Sequence, residues 1–142
     1  MMRVCRSHTL LAFLLSFTTS FLCKQGLAQR AGCDGGYAAL SGKSGGPISA
    51  YILSAQKGIT GYQQVNKRTE HIVVDSFHVT ITRNDVTVLK MKSESCYFTE
   101  QLKTFFSTLV QGDKVVFDAI FARMNCPGPT SRWIEPMEFI IQ

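Results

Sequence analysis

The chain has 142 residues, fifteen Lys/Arg against ten Asp/Glu, and five cysteines. Its formal net charge of +5 overstates its basic character, because Arg3, Arg6 and Lys24 fall within residues 1–28, which hold no acid. The remaining 114 residues keep twelve basic and ten acidic side chains, with no basic run longer than Lys67-Arg68, so a nucleic-acid partner is not expected.

Residues 1–28 read as a signal peptide. Arg3 and Arg6 form a positive start, Thr9 to Cys23 is an apolar run of fifteen residues, and Gly26-Leu27-Ala28 supplies small residues before a cut ahead of Gln29. That run falls short of the ~20 residues a spanning helix needs. Later apolar runs are broken by charges, so no membrane span is expected after cleavage. The expected location is the periplasm or cell envelope. Lipidation is the lesser reading: Cys23 follows the bulky Phe21-Leu22, and Lys24-Gln25 and Arg30 separate Cys33 from the apolar run.

Residues 29–46 are rich in Gly, Ser and Ala and read as a flexible leader. Residues 47–142 are long enough for one domain with a core of its own. Pro47 opens a strand expected over Ile48 to Ala55, and the polar stretch Lys57 to Glu70 reads as a loop with a short strand around Tyr62 to Val65. His71 to Thr82 is the clearest strand. Val73, Phe77, Val79 and Ile81 are apolar at odd positions, with polar residues at even positions from Ser76, which predicts one buried face and one wet face. Asp75 interrupts the apolar face and predicts a bulge or bend. Asn84-Asp85 turns the chain into a hairpin partner, Val86 to Met91.

One helix is expected, over about residues 99–110. Leu102, Phe105, Phe106 and Leu109 follow an i, i+3, i+4, i+7 spacing, Thr99 is the N-cap, and Gln111-Gly112-Asp113 stops it. Strands are expected over Lys114 to Met124 and at the end, where Met137, Phe139 and Ile141 alternate with Glu138; the stretch from Asn125 to Pro129 is a turn. The pattern predicts a mainly β fold: an immunoglobulin-like antiparallel β-sandwich with one short covering helix.

Export leaves Cys33, Cys96 and Cys126 in an oxidising compartment, enough for one disulfide and one spare thiol. Cys33 lies in the Gly-rich leader, so the expected pair is Cys96 with Cys126. No C-x-x-C spacing supports a metal or redox site.

No catalytic constellation emerges, and no cofactor is expected. Ser41-Gly42-Lys43-Ser44 lacks the glycine a phosphate loop needs five positions before Gly42, where Tyr37 stands. His71 and His78, an odd number of residues apart on one strand, are expected on opposite faces and so cannot share a metal. Asp113 and Asp118 flank a strand start and Glu135 and Glu138 bracket Pro136, spacings that suit turns and wet faces rather than a facing pair. No serine sits in a G-x-S-x-G elbow.

Five stretches carry a family resemblance: Gly46-Pro47-Ile48-Ser49-Ala50, Val74 to Ile81, Phe98-Thr99-Glu100-Gln101-Leu102, Gly112 to Ile120, and Ile134 to Ile141. In order and spacing they resemble the C-terminal domain of GldM, the gliding-motility and type IX secretion protein of the Bacteroidetes. The resemblance implies an immunoglobulin-like periplasmic domain that contacts other proteins and has no enzymatic activity. In that family an N-terminal helix anchors a dimer in the inner membrane, and the C-terminal domain reaches towards outer-membrane partners. The resemblance covers only that last domain, so the motor role of the membrane segment is not expected to transfer, nor is any residue-level site. The expected partners are envelope or secretion-machinery proteins, with a homodimer open. The alternative is a free-standing surface sandwich that binds a glycan or small ligand through Tyr37, Tyr62 or Trp133.

Overall fold

The computed structural model describes residues 32–126 and 128–142. The expected signal peptide lies outside them. Among the described residues the order is β1 (Tyr37–Ala39), β2 (Gly45–Ile48), α1 (Ala50–Ala55), β3 (Thr60–Val65), β4 (Arg68–Arg83), β5 (Val86–Ser93), α2 (Glu100–Phe106), β6 (Lys114–Met124), β7 (Thr130–Ile134) and β8 (Met137–Ile141).

Two long antiparallel strands, β4 and β6, form the spine. β4 carries β3 along its first half and β5 along its second, while β6 carries β8 at its start and β7 at its end. β1 extends the sheet beyond β3, and β2 extends it beyond β8 in the one parallel pairing. The mainly β expectation holds. Where a sandwich of two antiparallel sheets was expected, the strands join in one mixed eight-stranded sheet that curls into a nearly closed, barrel-like shape.

Paired bulges bend the spine. Val74 faces Ala122 and Ser76 faces Phe121, so Asp75 is one residue too many on β4, as the sequence predicts. Ala119, at φ 46°, sits in the compensating excess on β6 between the Ser76–Phe121 and His78–Asp118 pairs. The bulge at Asp75 has a consequence the alternation did not show. Ile72 and Val74 are buried before it and Phe77, Val79 and Ile81 after it, while Val73, expected inward, is 50% exposed. One extra residue exchanges the two faces.

Three expectations for local structure change. The apolar run after Pro47 forms α1 rather than a strand: Ser49 Oγ accepts from the Ile52 amide at 3.2 Å, and Leu53 alone is fully buried along the helix. The leader is built into the sheet from Cys33, which bridges to Val65. Its small residues allow close approach instead of flexibility. A Cβ on Gly36, at φ +75°, would lie 2.7 Å from the Met124 methyl, and one on Gly45 would lie 2.9 Å from the Glu138 carbonyl oxygen. The helix expected over 99–110 is shorter, Glu100–Phe106. Thr99 caps it by accepting from the Leu102 amide, and Leu109 is buried in the turn that follows. β7 follows the expected Asn125–Pro129 turn and is a short strand with no counterpart among the expected elements.

Phenylalanines fill the interior where α2 covers the spine. Phe117 stacks on Phe98 at 5.7 Å and meets Phe77, Phe106 and Phe139 edge-on at 5.8, 6.4 and 6.1 Å. Such pairs add to the apolar area each ring removes from water. Among the described residues no helix is long and apolar enough to cross a membrane.

Candidate interaction surface

Several polar and sulfur-bearing side chains hold the fold together. Cys33 is bonded to Cys126, and Cys96 is free, correcting the expected Cys96–Cys126 pair. Folding the leader against β3 brings Cys33 beside the end of β6, while Cys96 lies across from Ile59, whose amide donates to its carbonyl oxygen at 2.9 Å. Gln63, fully buried on β3, fastens the same corner. Its Nε2 donates to the Cys126 and Asp34 carbonyl oxygens at 2.8 and 3.3 Å, and its Oε1 accepts from the Asn125 and Cys126 amides. Sequence reading missed Gln63; its only signal was a polar residue at an inward position of a short strand.

Asp113 is 1% exposed and anchors the turn into β6, as its place after Gly112 suggested. Arg83 grips it with two hydrogen bonds, Nε to Oδ1 at 2.8 Å and Nη2 to Oδ2 at 2.6 Å, and the Val110 amide donates to Oδ2 at 2.9 Å. The hydrogen bonds from Arg83 hold the Asp113 carboxyl below the ordinary carboxylate range, against the opposing effect of burial. A depressed folded-state value stabilises the fold above the unfolded value of about 3.9, and the contribution fades as pH falls through the folded-state value. Asp113→Asn should therefore cost about 2 kcal/mol at neutral pH, with Arg83 keeping part of its hydration. Urea unfolding from pH 7 to pH 2 checks this: the gap between variant and wild type should narrow at the acid end.

Among the described residues the other charged side chains meet only in isolated pairs. Ser41-Gly42 forms the tip of a tight hairpin in which Leu40 and Lys43 exchange backbone hydrogen bonds, and Lys43 Nζ donates to the Pro47 carbonyl oxygen at 3.1 Å. His71 and His78 were expected on opposite faces; the bulge at Asp75 puts both on the outer face. Their seven-residue separation spans roughly 23 Å of strand, too far to share a metal. His78 lies 3.8 Å from Asp118, Lys114 pairs with Glu138 at 2.8 Å, and Arg123 pairs with Asp75 at 2.9 Å. Among the described residues no three His, Cys, Asp or Glu side chains converge.

A cleft of about 700 Å³ opens where β3 leaves β4, between Gly58–Gly61, Ile72–Val74 and Tyr97. Its lining includes Lys57, Cys96 and Tyr97 and no carboxylate or imidazole. The aromatics named for the glycan or small-ligand alternative are split. Tyr37 stacks on Tyr62 at 5.4 Å and Tyr62 lies 4.8 Å from His71, one row across β1, β3 and β4; Trp133 packs instead on Phe121 at 4.8 Å.

Another open feature is the edge of β5. This eight-residue strand pairs with β4 alone. Asn84 and Asp85, both at positive φ, form the two-residue turn that starts it. Val86 is 64% and Val88 40% exposed, and Lys90 and Lys92 are exposed beside them. Unpaired backbone amides and carbonyls along such an edge can accept another strand. Neither a protein-family model nor a curated protein sequence matches this chain.

Proposed function

We propose that the chain is an exported, non-enzymatic protein-interaction module of the cell envelope, similar to the GldM C-terminal domain and working with gliding-motility or type IX secretion proteins. The observation that carries this reading is the free β5 edge, with Val86 and Val88 exposed beside it. Docking then proceeds by strand addition, in which main-chain hydrogen bonds give affinity and alternate side chains give specificity. The engagement of Gln63, Arg83 and Asp113 in structural contacts supports a role in binding over one in bond-making chemistry. The mainly β character of the fold supports the resemblance at the level of fold class.

The test is a pull-down from the native envelope with wild-type protein and with Val86→Asp/Val88→Asp. Both positions are exposed, so the fold should survive. A defined envelope protein recovered by the wild type and lost with the variant supports the proposal; no protein above background overturns it.

The Tyr37–Tyr62–His71 row favours a second reading, a glycan or small-ligand surface. Glycan binding that disappears in Tyr37→Ala/Tyr62→Ala while β5 variants retain it would favour that reading.

A further inference from the structure

We infer that β5 takes, as an added strand, an extended protein segment whose side chains alternate between apolar and acidic. The inference rests on the docking reading above and adds the chemistry of the partner. Along β5, Leu89 and Met91 lie opposite Ile81 and Val79, the buried face of β4, whereas Lys90 and Lys92 lie opposite Thr80 and His78 on the outer face. Leu89 and Met91 pack on the core yet stay half-buried, with β4 on one side and no strand on the other. A neighbouring strand would cover them with its own inward apolar side chains.

The outward positions of that strand would stand next to Lys90 and Lys92. Lys90 has no ion-pair partner among the described residues. Lys92 meets only Glu94, at 2.9 Å, in an exposed pair of the kind that holds weakly. Opposite charges on adjacent strands attract and like charges directly opposite repel. The same rule disfavours a second copy as the occupant. An antiparallel pairing that sets Leu89 against the Met91 of a second copy puts Lys90 directly opposite its own counterpart. The edge is therefore guarded against itself and open to an acidic strand.

Two labelled peptides of about nine residues, enough to span β5, test this with the purified protein. One alternates valine with glutamate and the other valine with lysine, and binding is read by fluorescence anisotropy. The glutamate peptide should bind roughly tenfold tighter or more, with a preference that shrinks in high salt. Lys90→Glu/Lys92→Glu, confirmed as folded by circular dichroism, should reverse the order. Amide exchange along Val86–Ser93 should slow when the glutamate peptide is bound. Equal affinities, or a preference unchanged by the double substitution, would overturn the inference. If neither peptide binds but Val86→Asp/Val88→Asp still abolishes the envelope pull-down, the partner chemistry is wrong and the docking reading stands. If that pull-down is insensitive to β5, the docking reading itself fails.

Discussion

Phe117→Ala should destabilise the domain by about 4 kcal/mol, the middle of the range for deleting a buried aromatic ring. Phe117 is fully buried on β6 and touches Phe77 from β4, Phe98 from the segment before α2, Phe106 from α2 and Phe139 from β8. Its ring thus joins both spine strands, the covering helix and the last strand. Truncation removes apolar burial and leaves a void bordered by four rigid rings, which cannot collapse into it without leaving their rotamers. Urea denaturation read by circular dichroism checks the value. Phe105, on the half-buried side of α2, serves as the comparison, and its alanine variant should cost clearly less.

Removing the Cys33–Cys126 bond should have the next largest effect. The bond closes a loop with a sequence separation of 93, for which chain entropy alone predicts a contribution of about 4.6 kcal/mol. Cys33→Ser/Cys126→Ser should therefore lower stability by roughly 2–4 kcal/mol, since measured values commonly fall below the entropy limit. The loss should be felt most at one corner. Gln63 would keep its hydrogen bonds to the backbone of residues 34, 125 and 126 only while those segments stay in place. Cys96→Ser is the control and should leave the stability and its response to reductant unchanged. A reductant should bring the wild type to the level of the double variant and leave that variant where it is.

Much of the spine was legible because its signals are local. The alternation in Lys114–Met124 and Met137–Ile141 reads as strand from a few consecutive residues, and Thr99 marks the start of α2. Asp75 signalled a bulge because a carboxylate cannot sit on an apolar face. The phase change it causes was not legible, since that depends on whether β4 or β6 carries the extra residue at each point. For the run after Pro47, length and composition fit a strand as well as a helix, and the Ser49 cap decided it. The cysteine pairing was hidden for a longer-range reason. Gly36 and Gly45 look like linker residues until the side chain and backbone they nearly touch, from Met124 and Glu138, come from the far end of the chain. Of the proposed docking surface, sequence supplied the hairpin; that β5 has no second neighbour emerges only from the pairing of all the strands.

The most direct test of the central claim is site-specific photo-crosslinking in the intact envelope, with a photoreactive residue placed in turn at Val86, Val88 and, as a control, Gln64. Val86 and Val88 lie exposed along the free edge of β5, whereas Gln64 belongs to β3, which has strands on both sides. The account predicts adducts to one and the same envelope protein from Val86 and Val88, and none from Gln64. Adducts absent from both β5 positions, or confined to the face that carries Gln64, Tyr37 and Tyr62, would contradict it.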